Sequence, residues 1–383
     1  MSSASNKPRV LILGGTGFVA RHFVKYLIEN DLVSKIRVAD KQLPKTAYMS
    51  DDLLNIYENN PLVEYKQANL SNPQHIKKAF EDSTGPFNFI VNLAAETRYG
   101  QEEATYKQMV YDISVNCAKE ALNYISSIEK YIEVSTAQVY DSGSKASKET
   151  DKLVPWTLLA KFKAQAEEEL KKLSPEFAKK LIILRPAIIY GPADLNGLTP
   201  RITCACTYTS TNEKMKLLWS GDLCINTVHV RDVARALWHL YTNTKTTGPL
   251  TFNLCDKNQT DQKKMNEILE KIFGIETGFF GTLLSQAAKL NMKGAADTAN
   301  ENHMLPWSEM TKQSGIKFTP LSPHIDKELL YNNSLSVDGS LIEKETGFHY
   351  EYPKMTEELI LEQIDYFKKL NLFPNFTKLE KKK

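Results

Sequence analysis

The 383-residue chain predicts an α/β fold, a doubly wound parallel sheet with a smaller, partly interleaved C-terminal domain. Three observations carry this. Short apolar runs alternate with longer helical patterns from Pro8 to Gly191. Two of the runs, "VLIL" and "LIIL", are apolar without a break, and a glycine-rich turn stands where the first run meets the first helical pattern. Such alternation belongs to βαβ units, whose crossovers cover both faces of a parallel sheet. A strand buried on both faces needs no polar alternation, so unbroken apolar runs fit its centre.

The elements follow in order. "RVLILGG" is the first strand, and Phe18 to Asn30 the first helix. "KIRVAD", "VEYKQANL" and "FNFIVNLAA" are the next strands, followed by a helix near Tyr106 to Ser127. "KYIEVST" is then a strand, the Lys161 segment a helix and "KLIILRPAIIYGP" a further strand. After Gly191 the rhythm breaks, and "NTVHVRDVARALWHLY" returns as a strand feeding a helix. A helical stretch near Lys263 to Phe273, a poorly patterned segment from Gly281 to Asn302 and an amphipathic helix near Thr356 to Leu370 complete the pattern. The expected division is a nucleotide-type domain over 1–191, rejoined by 225–254; a smaller substrate or partner domain over 192–224 and 255–372; and a basic tail over 373–383.

Composition narrows the classes. Forty-eight Lys and Arg against 46 Asp and Glu leave a net charge of +2, which gives no electrostatic case for nucleic acid. The terminal "KLEKKK" reads as a solvated tail. Cys117, Cys204, Cys206, Cys224 and Cys255 read as reduced thiols, without the paired spacing of a zinc site. "MSSASNKPRV" has neither a signal-peptide core nor a transit-peptide pattern, and no apolar run reaches the roughly 20 residues of a membrane span. A cytoplasmic protein with no transmembrane segment and no metal is expected.

"VLILGGTGFVARHFV" sets Gly14, Gly17 and Ala20 three residues apart, after a strand and at the start of a helix. Gly14 permits the tight turn, Gly17 lets a pyrophosphate approach the backbone, and small Ala20 lets helix and strand pack closely. This is the layout of a Rossmann-type dinucleotide site, with the helix N-terminus facing the anion. The second strand ends at Asp40, 26 residues after Gly14, where an acid accepts hydrogen bonds from the ribose hydroxyls. A carboxylate there repels a 2′-phosphate, so NAD is favoured over NADP, although neighbouring Lys41 keeps NADP open.

With these residues the sequence resembles the extended short-chain dehydrogenase/reductase superfamily, in its NAD-dependent epimerase/dehydratase group. The resemblance runs from about Val10 to Phe367. "NLAAET" resembles the family's fourth-strand signature, with Ala94 and Ala95 against the cofactor, and Asn116 in "SVNCAKEAL" matches its helix asparagine. "EVSTAQVY", "LRPAIIYGP" and "VHVRDVARAL" resemble further family segments. Asn69 stands where the family often has an aspartate near adenine.

The resemblance also assigns catalytic positions. In the family a tyrosine exchanges a proton with a substrate hydroxyl while hydride moves to or from nicotinamide. A lysine four residues later lowers its pKa and holds the nicotinamide ribose, and a Ser or Thr positions the same hydroxyl. Here Thr136 and Lys163 occupy the last two places, and Leu159 occupies that of the tyrosine. Leucine has no dissociable proton, and losing such a group typically costs about 10²–10⁴ in rate. Tyr140, Tyr190, Lys161 or a water held by Thr136 are the candidate replacements. Ala137 and Gln138 lack the carboxylates that the family's 4,6-dehydratases and decarboxylases place there, so those chemistries are disfavoured.

Two readings follow. One is an NAD-dependent epimerase or dehydrogenase acting on a nucleotide sugar or another hydroxylated small molecule. The other is a catalytically silent NAD-binding structural or sensor protein. The family often pairs through the lysine-bearing helix and the long helix before it, so a homodimer is a possible assembly. Arg201, Trp219 and Trp307 are candidate substrate contacts whose simpler role is packing; His229 reads as structural, and Cys204 and Cys206 as packing residues.

Overall fold

The computed structural model describes residues 7–141, 143, 145–245 and 248–379. Its strands are β1 Arg9–Leu13, β2 Lys35–Asp40, β3 Val63–Gln67, β4 Phe89–Asn92, β5 Lys130–Val134 and β6 Leu181–Pro186, then β7 Ile188–Tyr190, β8 Met215–Leu217, β9 Thr227–His229, β10 Leu250–Leu254 and β11 Thr277–Phe279. Seven of them form one sheet in the order β10-β6-β5-β4-β1-β2-β3, every neighbouring pair parallel. This is the doubly wound arrangement expected from the sequence. The strand order reverses beside β1, between its neighbours β2 and β4, and in such sheets ligands bind outside the carboxyl ends at that point.

The unbroken apolar strands are explained by which face each residue takes. Val10 and Ile12 of β1 join a core with Phe23, Val24 and Leu237, while Leu11 and Leu13 join another with Ile90, Cys117 and Phe177. Successive strand side chains point to opposite faces, so both parities must be apolar when both faces are covered. The helices Phe18–Glu29 and Val230–Asn243 cover the first face, and Pro73–Phe80 and Ile113–Leu122 the second.

The segment expected to return to the sheet divides its work. β9 pairs with β7 outside the main sheet, whereas β10 extends that sheet beside β6. A third core gathers Ile202, Met265, Phe273, Trp307, Ile360 and Phe367 from the later helices. No helix among the described residues is long and apolar enough to cross a membrane.

Two expectations need correction, and one segment left unassigned takes a definite form. The helix foreseen over Tyr106 to Ser127 is Glu103–Tyr106, a π-helical turn Lys107–Asp112 and Ile113–Leu122. Met109's carbonyl in this turn also accepts from Glu96 N–H at 3.2 Å, outside the helical ladder. The poorly patterned segment is helical over Gly281–Lys289 and Met292–Gln313. Its leucines point outward, with Leu283 86% and Leu290 91% exposed, so no buried stripe announces it. The terminal "KLEKKK" is not wholly solvated, since Leu379 N–H donates to Phe273 O at 3.0 Å; before it Phe373 is buried and Phe376 lies tilted against Phe273. The last four residues of the run lie outside those described.

Candidate functional site

The glycine turn is built as its spacing requires. Gly14 has φ +75°, and a Cβ there would sit 2.7 Å from Ala94 N, so the turn and the chain after β4 touch backbone to backbone. Gly15, which sequence reasoning left without a role, is as restricted: its Cβ would meet that of Val38 at 2.5 Å. Gly17 has an ordinary φ of −66° and caps the helix Phe18–Glu29 without a side-chain bond. Its first turn therefore keeps free N–H groups and carries no acid. Ala20 is fully buried beneath it.

Asp40 closes over this turn. Its Oδ2 accepts from Thr16 N–H at 3.1 Å and its Oδ1 from Gln42 N–H at 3.0 Å. A carboxylate offers about four acceptor sites, so capacity remains for two hydroxyls. Arg21 is buried alongside, its guanidinium donating to Thr16 O and Ala47 O, both at 2.8 Å. It ties the turn to the loop after β2.

These residues open into a cleft of about 560 Å³. Gly14, Gly17, Ala20, Asp40 and Lys41 line one end, and Asn69, Ala94 and Ala95 belong to the same wall. Asn69 Oδ1 is held by Ser71 Oγ at 2.9 Å, which leaves its amide NH₂ as the group for a base edge. Thr136, Leu159 and Lys163 line the cleft as well. One cavity is thus lined by the expected cofactor positions together with Thr136 and Lys163. On the helix that carries Asn116, Ile113 lines the cleft, and Ser114 donates to buried Glu133 Oε1 at 2.7 Å.

The catalytic corner departs from the expected pattern. Lys163 is 5% exposed, and its Nζ donates to Val134 O at 2.7 Å and to Glu133 Oε1 at 3.3 Å. A lysine ammonium has three N–H groups, so one remains for a ligand hydroxyl. Glu133 is fully buried and also accepts from Asn92 Nδ2 at 2.7 Å. Thr136 Oγ1 accepts from Gln138 N–H at 3.2 Å, closing a short 3₁₀ turn. Leu159 packs with Tyr106, Val110 and Phe162.

None of the side-chain replacements named from the sequence lines the cleft. Tyr140 donates to Asn253 Oδ1 at 2.7 Å and accepts from Arg185 at 2.6 Å, behind the wall. Tyr190 is buried against His229, and Lys161 pairs with exposed Glu103 at 2.7 Å. Tyr99 does line it, beside Leu159, and its hydroxyl accepts from Gln138 Nε2 at 2.7 Å. No spacing rule marks Tyr99, which lies 60 residues before Leu159 and on a loop.

Among the other candidates, Trp219 and Trp307 are packing residues, 2% and 4% exposed. Arg201 Nη2 donates to Gln262 Oε1 at 3.2 Å, while its buried Nη1 has no hydrogen-bond partner among the described residues. His229 caps the helix Val230–Asn243, and burial lowers its pKa to about 3, with Arg231 adding to the fall. Cys204 donates to Pro323 O at 2.9 Å, and burial pushes its thiol up to about 12. No group of three potential metal ligands occurs among the described residues.

A model described as the NAD dependent epimerase/dehydratase family matches residues 10–255. The chain belongs to this family. Human dTDP-D-glucose 4,6-dehydratase is 30% identical over 239 residues, 60% of this chain and 64% of that protein. The UDP-glucose 4-epimerase of Vibrio cholerae is 27% identical over 192 residues, 48% of this chain and 52% of that one. The match therefore spans between about half and two thirds of these relatives' length. Solved family folds extend further along the chain. The NAD-bound dTDP-glucose 4,6-dehydratase from Streptomyces venezuelae has TM-score 0.69 at 16% identity, over 94% of this chain and 97% of that one. The UDP-glucuronic acid 4-epimerase from Bacillus cereus, in complex with UDP-glucuronic acid and NAD, has TM-score 0.68 at 17% identity, over 94% and 99%.

Within this family the chain is an extended short-chain dehydrogenase/reductase with a Rossmann-type sheet. Glu133 and Gln138 went unrecognised because their partners are distant in sequence. One signal was present: an acid inside the otherwise apolar strand "KYIEV" needs a buried partner.

Proposed function

We propose that this protein binds NAD in the cleft and acts on a nucleotide sugar as an epimerase or dehydrogenase. The observation that carries the reading is the joining of the glycine turn, Asp40, Thr136 and Lys163 in one cavity. The residues fit the cofactor. Gly17 and the free N–H groups behind it would receive the pyrophosphate, Asp40 the adenosine ribose and Asn69 the base edge. Lys163's remaining N–H would hold the second ribose, and Ala94 and Ala95 leave room along the wall. NAD supplies a reversible hydride acceptor when bound. Thr136 would orient the substrate hydroxyl. Ala137 and Gln138 are not acids, which favours epimerisation or alcohol/ketone exchange over dehydration.

The nucleotide-sugar assignment draws on the relatives' substrates, and Asp194 to Gly197 with Leu329 and Leu335 would face the sugar from the later part of the chain. A silent NAD-binding protein is the second reading, favoured by Leu159 and by Lys163's engagement with Glu133. A homodimer through the helix Leu158–Lys172, in a cytoplasmic setting, accords with the family; sedimentation of a monomer at working concentration would remove the dimer.

Asp40→Ala tests the cofactor assignment. Removing the carboxylate is expected to weaken NAD and to relieve repulsion of a 2′-phosphate, narrowing the gap between NAD and NADP in calorimetric titrations. An unchanged ratio would take Asp40 out of the ribose site.

A further inference from the structure

Resting on the NAD-dependent reading above, we propose that Tyr99 is the proton-transferring residue of the cleft, supplied by a loop in place of the tyrosine that the helix lacks at Leu159. Tyr99 lines the same cavity as Thr136, Leu159 and Lys163 and packs in the apolar cluster that holds Leu159. Its phenol therefore stands beside the side chain it replaces.

The hydrogen bonds set the direction of its proton. Thr157 Oγ1 donates to Gln138 Oε1 at 3.1 Å, so the Gln138 amide turns its NH₂ towards Tyr99. Tyr99 Oη receives that N–H at 2.7 Å, and its own O–H points elsewhere. Thr157 caps the helix that bears Leu159, and Gln138 lies in the turn capped by Thr136, so one network fixes the phenol against both. The loop is anchored on either side: Tyr106 donates to Arg98 O at 2.8 Å and Gln101 Nε2 to Tyr99 O at 3.2 Å.

The surroundings keep the phenol protonated at neutral pH. Burial is the main cause that raises its pKa, to about 12 in all, with Tyr106, Glu328 and Asp194, on three different segments, adding to the rise and Gln138 opposing it. On its own loop Glu96 and Arg98 form an ion pair with each other at 2.7 Å. A protonated phenol is an acid. When a ketone is reduced, its carbon gains a hydride from a reduced nicotinamide and its oxygen gains the Tyr99 proton. The products are a secondary alcohol, an oxidised nicotinamide and a phenolate that water reprotonates. In the reverse direction the phenolate takes the alcohol's proton as the hydride leaves the same carbon, and the Gln138 N–H stabilises that phenolate.

Tyr99→Phe keeps the ring and removes the hydroxyl. NAD affinity, measured by calorimetry, is expected to stay within about twofold of wild type, because the assigned cofactor contacts lie elsewhere. Reduction of bound NAD by UDP-glucose or dTDP-glucose is expected to fall by about 10²–10⁴ and to lose its rise with alkaline pH. Tyr99→Phe with Leu159→Tyr should recover part of the rate. A fluorotyrosine at position 99 gives a readout apart from turnover: its fluorine resonance should titrate at lower pH once oxidised NAD is bound, since the nicotinamide is cationic. Wild type that fails to bind NAD would overturn the cofactor reading itself. Wild type that binds NAD but shows an unmoved fluorotyrosine midpoint would overturn the role of Tyr99 alone. A Tyr99→Phe rate equal to wild type would overturn it too, as would bound NAD that neither sugar reduces.

Discussion

Gly17→Val is expected to give a folded protein that no longer binds NAD. Gly17 is exposed, its φ of −66° suits any residue, and an added Cβ would have one close neighbour, Gly14 O at 3.1 Å. The fold therefore tolerates a side chain there after a shift of a few tenths of an ångström. The cleft does not, because two further methyl groups would occupy the approach of the pyrophosphate to the helix N-terminus. Circular dichroism and thermal unfolding close to wild type, with no heat of binding on NAD titration, is the expected pair of results. Undiminished affinity would make the turn purely structural. Gly14→Val would be a poorer test, since φ +75° and an approach of 2.7 Å to Ala94 N would damage the fold itself.

Glu133→Leu is expected to cost about 3–5 kcal/mol of stability, the range for breaking a buried ion pair by removing one partner. Lys163 would keep a buried ammonium with Val134 O as its remaining partner, Ser114 Oγ would lose its acceptor, and Asn92 Nδ2 would keep only the 3.5 Å contact with Ser114 Oγ. Exposures of 6% for the Lys163 side chain and 1% for that of Glu133 mean that solvent does little to soften the loss. Adding Lys163→Met should return part of the stability, because the stranded charge is then gone. Denaturant unfolding of the single and double variants measures both effects. A Glu133→Leu change below about 1 kcal/mol would show that the network contributes little to the fold.

What could be read in the sequence was local. "VLIL", "LIIL" and the alternation of runs specify a sheet covered on both faces, and both parities of β1 do enter separate cores. Gly14, Gly17, Ala20 and Asp40 carry their meaning in spacing, which survives without knowledge of tertiary contacts. Convergence was invisible. Gln138 reaches Tyr99 across 39 positions, and Lys163 reaches Glu133 across 30, and no periodicity encodes either meeting. The same holds for the helix Met292–Gln313, which contains Pro306 and follows a helix whose leucines face outward. Leu159 could be read as a loss of chemistry on its own helix, but the loop tyrosine beside it required the fold.

The central claim is that the cleft is an NAD site whose selectivity comes from Asp40. Calorimetric titration of the purified wild-type protein with NAD and, separately, with NADP tests it most directly. Saturable binding of one NAD per chain is expected, with NADP at least about tenfold weaker, equivalent to about 1.4 kcal/mol. No binding of NAD, or NADP binding as tightly as NAD, would contradict it.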